Sequence, residues 1–223
     1  MGNTPFRIPG EPLMTRTAFH LAPALMGAYG VVRLIDGIDG QHGPGPAWTV
    51  GHLLFLGSLL LYGVVIAGLR RRILDTEGGG RARRITAGAL TTVAAVGLAA
   101  FVRVAVVDIV VGLKAADAAE KSALSDRYAD VPAVIPQAFY EIGPVFFMLG
   151  LLALFVQYAV VGPRRGLASA AAPVLVLVGF VAIMADLNLL PIGAALIWVA
   201  LVPLTRADTV TRVRRDAPVT AAA

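Results

Sequence analysis

Residues 48–72 read WTVGHLLFLGSLLLYGVVIAGLRRR. Between Trp48 and Leu69 the only side chain that can carry a charge near neutral pH is His52, and three arginines follow at once. As a helix this run rises about 33 Å, enough to cross a hydrocarbon core of about 30 Å. An isolated strand or loop in lipid would leave its backbone groups without partners, so the run must be helical. The arginines mark its end, because a charge at bilayer depth costs about 2.5–3.5 kcal/mol on insertion scales.

Five more apolar runs flank this one. They lie at about 17–35, 86–113, 142–162, 167–185 and 187–204. The 223-residue chain is 57% hydrophobic and only 15% charged, with a mean hydropathy of +0.77. A soluble domain carries roughly 25% charge, so this composition would leave too much apolar surface in water. The fold class read from the sequence is therefore all-α: a polytopic membrane protein, a bundle of six transmembrane helices. Its parts are an N-terminal segment (1–16), a transmembrane domain (17–204) and a basic tail (205–223). Met1 to Thr15 is polar and lacks the early apolar core of a cleaved signal peptide. The third run exceeds one bilayer crossing, so it must tilt, break near Gly112 or project.

The charges are sided. Arg7 and Arg16, then Arg70, Arg71, Arg72, Arg81, Arg83 and Arg84, then Arg164 and Arg165, then Arg206, Arg212, Arg214 and Arg215 all fall in alternate connections. These are fourteen of the nineteen basic residues. The other connections hold most of the carboxylates. The positive-inside rule then places both termini in the cytoplasm. A pI of about 10.1 thus reflects topology, and no nucleic-acid partner is predicted. High Ala, Val, Gly and Arg usage with little Lys points to a GC-rich bacterial genome and so to the cell membrane. The longest outer connection, 114–139, begins with strong helix formers and meets Pro132 and Pro136, which break a helix. A short outer helix is expected there, and with it a surface for a protein partner.

With no cysteine, the chain has no disulfide, thiol nucleophile or iron–sulfur ligation. Motifs for serine hydrolases, zinc proteases, kinases and P-loops are absent. His20 and His52 fall in opposite halves of the bilayer and cannot clamp one haem. His42 and His52 with outer carboxylates have metal-ligand chemistry but no ligand spacing. No cofactor is predicted.

The informative residues are ionisable groups at membrane depth. Arg33 and Asp36 are three apart on the first span and can pair. Arg103 and Asp108 on the third lie about 140° apart around the helix, so each needs another partner. Glu141 opens the fourth span and Asp186 closes the fifth. With His52, all seven map to the outer half and define one candidate polar pocket facing outward.

Three functional classes fit. The leading one is a non-enzymatic accessory or sensing protein that uses this pocket. A second is a small carrier for a lipid or hydrophobic solute, a class often built from inverted repeats. Phe19-His20-Leu21-Ala22-Pro23 and Tyr140-Glu141-Ile142-Gly143-Pro144 share such a pattern over five positions only. A third is a lipid- or isoprenoid-active enzyme with Asp108 or Glu141 as catalytic general acid. The implied partners are the bilayer, a lipid or hydrophobic ligand, and a protein at 114–139.

Overall fold

Helix ends fall where the chain carries glycine, proline or charge. A computed structural model describes residues 13–38, 40, 42–76, 80–129, 137–162 and 167–216, with backbone alone for 137–139, 167–169 and 206–216. They form seven helices: α1 (Leu13–Asp36), α2 (Pro46–Asp75), α3 (Arg81–Lys114), α4 (Ala118–Ala129), α5 (Gln137–Val161), α6 (Leu167–Ala185) and α7 (Leu190–Asp216). A 3-10 turn, Leu187–Leu189, joins the last two. No strand occurs among the described residues.

Local chemistry explains the boundaries. Pro46 opens α2 directly after Gly45, a position where a missing N–H costs nothing. α3 runs unbroken through Gly112 to Lys114, 34 residues or about 51 Å. The break near Gly112 that the sequence allows does not occur, which leaves tilt or projection to absorb the excess length. α2 continues past Leu69 to Asp75 and α3 begins at Arg81. Both extend beyond their apolar cores, because backbone hydrogen bonding does not stop where hydropathy does. α7 likewise passes Leu204 and reaches Asp216, so much of the basic tail is helical. Residues 1–12, 163–166 and 217–223 lie outside the described ones, as do Asp39 and 130–136 of the outer connection.

Five helical stretches are long and apolar enough to cross a membrane: Leu13–Asp36, Pro46–Asp75, Arg81–Lys114, Tyr140–Val161 and Leu187–Thr205. α6 corresponds to the remaining apolar run; its described apolar part, Ala170–Ala185, is shorter. Six helices close a ring. α1 packs between α7 and α2, α3 joins α2 to α5, and α6 closes the circle between α5 and α7. α4 rests against α3.

Aromatic rings tie the ring of helices together through its centre. Tyr29 stacks on Phe55 at 4.8 Å, Phe55 meets Phe101 edge-on at 5.0 Å, and Phe147 links Phe101 to Phe180. Five helices thus share one chain of edge and face contacts, the geometry that the ring quadrupole favours. Ser58 donates to the Ala22 carbonyl at 2.7 Å and pins α2 to α1. Outward faces stay apolar: Leu53, Val96, Val156, Val181 and Val199, one on each of α2, α3, α5, α6 and α7, are exposed. Contiguous apolar surface of this extent is foreign to a soluble monomer and fits a helical protein embedded in lipid.

The α3–α5 contact is the closest. Gly97 faces the α5 backbone directly, and Gly150 faces Ala94 of α3. Gly143 meets Ala100. Without a hydrophobic drive between helices in lipid, such small-residue contacts let backbones approach and gain dispersion. Gly88 has nothing near it, so the close packing is confined to one face of α3.

Candidate functional site

The ring order α1–α2–α3 brings the C-terminal turns of α1 and α3 to the N-terminal turns of α2. Trp48 is the hub. Its indole Nε1 donates to the Asp108 carbonyl at 2.8 Å. The ring lies against Gly112, one turn further along α3, where any side chain would collide with it. His52, one turn along α2, sits under the indole at 4.1 Å between ring centroids. Tyr29 of α1 meets the other side of His52 at 5.3 Å, edge to face. A Cβ on Gly51 would lie 3.3 Å from Tyr29 and Val32, so the glycine lets both approach closely.

The buried imidazole has two committed nitrogens. Nδ1 lies 2.8 Å from the Trp48 carbonyl; a carbonyl only accepts, so Nδ1 carries the hydrogen. Nε2 faces Asp108 Oδ2 at 3.6 Å. His52 and Asp108 thus form a close imidazole–carboxyl pair, beyond direct hydrogen-bond distance, walled by Trp48 and Tyr29.

Arg33 and Asp36 lie on the same side, and with Tyr29, Trp48 and His52 they line a cavity of about 10 Å³. That is room for one water molecule, far from the volume of a lipid chain. The Arg33 Nε is buried with no hydrogen-bond partner. Asp36 faces His42 Nδ1 at 3.8 Å, so the carboxylate's nearest basic neighbour is His42 rather than Arg33. From outside, Lys121 of α4 lies over the Trp48 ring at 4.3 Å and donates to the His42 carbonyl.

Four of the seven residues singled out from the sequence thus converge: Arg33, Asp36, His52 and Asp108. Three do not. Arg103 lies over the Tyr140 ring at 3.9 Å and donates to the Tyr128 carbonyl at 3.4 Å, joining α3 to α5 and to the end of α4. Glu141 is exposed on the α5 surface. Asp186 caps the 3-10 turn by accepting from the Asn188 N–H at 2.8 Å. Trp48, Tyr29, Lys121 and His42 complete the cluster. Only helix adjacency reveals their roles. At the opposite end, His20 Nδ1 accepts from Trp198 Nε1 at 3.0 Å. Among the described residues no three His, Asp or Glu side chains are grouped to hold a metal ion.

Glu141→Gln is expected to change stability by less than about 0.5 kcal/mol, as surface substitutions do. Thermal unfolding in detergent checks this, and a larger loss would place Glu141 in a contact its exposure does not suggest. No protein-family model, curated protein or solved structure matches the chain.

Proposed function

We propose that this chain is a six-span protein of a bacterial cell membrane, with both termini in the cytoplasm, acting as a non-enzymatic accessory or sensing protein through its outer polar cluster. The placement of the arginines supports the orientation. The span limits 17–204, between an N-terminal segment and a basic tail, follow the apolar runs. One observation carries the functional reading. The cluster encloses space for a single water and is covered by α4, a helix with no buried residue of its own. At this cluster a carrier or lipid-active enzyme would need a cavity of ligand size; a latch over a histidine–aspartate pair does not. α4 also presents Glu120 and Asp126 to the outside, available to a protein partner.

The absence of native cysteine makes the test clean. A membrane-impermeant maleimide on intact cells is expected to label Ser122→Cys and to leave Arg84→Cys unlabelled; the reverse pattern would invert the topology. A photo-crosslinking residue at Glu120 or Asp126 is expected to trap one recurrent protein, with the adduct lost in Lys121→Ala. A new product from lipid extract that disappears in Asp108→Asn, or solute flux into reconstituted vesicles, would overturn the accessory reading in favour of the enzyme or the carrier.

A further inference from the structure

At the arginine-rich end of the bundle, α2 and α3 diverge into a groove of about 700 Å³. Gly63 and Ala67 on α2 and Ala95 and Ala99 on α3 line it and leave room, between the larger apolar walls of Ile66, Leu74, Leu98 and Val102. Along α2 it runs from Gly63 to Asp75, about 18 Å at helical rise. Half of a hydrocarbon core is about 15 Å. The groove is therefore as long as one leaflet is deep, and its volume lies within the roughly 300–1,000 Å³ of small-molecule sites.

One end of the groove is charged and the rest is apolar. Arg70 and Arg71 lie at the rim, both exposed. Arg71 Nε pairs with Asp75 Oδ2 at 3.6 Å, which offsets one charge and leaves the rim net positive through Arg70. The start of α3 adds Arg81 and Arg84, both exposed, at the same end of the bundle. Thr91 also lines the groove, and its hydroxyl is buried with no hydrogen-bond partner. An occupant must therefore be apolar over most of its length, anionic at one end and able to accept a hydrogen bond just below that end. A glycerophospholipid has this order of groups: acyl chain, ester oxygens, phosphate.

We propose that the α2–α3 groove is a binding site for one anionic glycerophospholipid, with an acyl chain along Gly63, Ala67, Ala95 and Ala99 and the phosphate at Arg70 and Arg71. The inference rests on the reading that the chain crosses a membrane. It is separate from the outer cluster, which lies at the other end of α2. A basic residue close to an anionic lipid surface contributes a factor of about five in affinity, so with Asp75 offsetting Arg71 the rim contributes between about fivefold and about twenty-five-fold.

Native mass spectrometry of the full chain, released from nanodiscs of equimolar phosphatidylglycerol and phosphatidylcholine, tests it. One retained phosphatidylglycerol is expected, in clear preference to phosphatidylcholine. The double variant Arg70→Gln, Arg71→Gln is expected to lose that preference by about fivefold to twenty-five-fold, with Arg70→Gln alone causing the larger share. Ala99→Phe, which fills the trough and leaves the rim intact, is expected to lower retention of both lipids. Far-ultraviolet circular dichroism controls for folding in each variant. Unchanged preference in the double variant would overturn the assignment. So would equal binding of glycerol phosphate, which has a phosphate and no chain, or a disulfide between two copies of Ala99→Cys, which would make the groove a protein interface. If the maleimide pattern above holds while the lipid preference fails, the groove assignment falls and the membrane topology stands.

Discussion

Gly97→Ala is expected to cost about 3 kcal/mol or more and to lower the thermal midpoint by about 10 °C. A methyl group is the smallest addition a side chain can make, so this size of effect needs a specific cause. A Cβ built on Gly97 lands on the Phe147 backbone nitrogen, 2.6 Å from the Gly143 carbonyl oxygen and 2.7 Å from the Phe146 carbonyl carbon. All three are backbone atoms of α5. A side chain could rotate away; a helix backbone must translate as a unit. That translation would also open the seats of Gly150, where a Cβ meets Ala94 backbone nitrogen at 2.5 Å, and of Gly143 on Ala100. It would strain the ring contacts that Phe147 makes with Tyr62, Phe101 and Phe180 as well. Gly88→Ala is the matched control. It lies on the same helix with open space around it, and alanine there should leave stability unchanged or raise it by up to about 1 kcal/mol through helix propensity. Unfolding curves in detergent for the two variants decide the matter. Equal stability for Gly97→Ala and Gly88→Ala would mean that α3 and α5 do not meet backbone to backbone.

The contrast between those two glycines shows where sequence reasoning stops. The helices themselves are legible, because hydropathy is a property of composition: every apolar run of the sequence is a helix, and α4 lies within the stretch of helix formers before Pro132. Helix direction around its own axis is only partly legible. Gly88 and Gly97 look alike in the sequence, and the neighbour that distinguishes them is on α5, about fifty positions away. The candidate site divides in the same way. Arg33, Asp36, His52 and Asp108 stand out because charge at membrane depth is costly, and they meet because consecutive helices α1, α2 and α3 are neighbours in the ring. Glu141 and Asp186 carry the same signal but occupy other parts of the ring: the α5 surface, and the 3-10 turn between α6 and α7. Arg103 is on the right helix and the wrong face, as its angular offset from Asp108 implies. Lys121 and Trp48 were invisible as partners, since a lysine in an outer connection and a tryptophan at an interface each have an ordinary explanation.

Trp48→Ala is expected to be the most disruptive change at the α1–α2–α3 polar cluster, at about 3 kcal/mol, the lower part of the range for removing a packed aromatic side chain. The indole has four separate duties there. It fills the space over Gly112, donates to Asp108, covers His52 and forms the platform for Lys121. Their removal acts on three helices together, because Trp48 is on α2, its acceptor on α3 and its cation on α4. Trp48→Phe separates the terms. It keeps most of the ring surface and the face that Lys121 covers, and removes the Nε1–H, so it should cost about 1 kcal/mol, the worth of one hydrogen bond. The two variants should also differ in a way that stability alone does not report. With the platform gone, α4, which has no buried residue, is held by polar contacts at Lys121 and Tyr128, and Ser122→Cys should react faster with maleimide in the Trp48→Ala background than in the parent. In the Trp48→Phe background the rate should stay near that of the parent. Equal losses of stability in the two variants, with no change in labelling at position 122, would show that the ring is not what joins the cover to the His52–Asp108 pair beneath it. A large loss in Trp48→Ala alone, with faster labelling, would identify the indole as the element through which displacement of α4 reaches His52 and Asp108, which is the coupling a sensing protein requires.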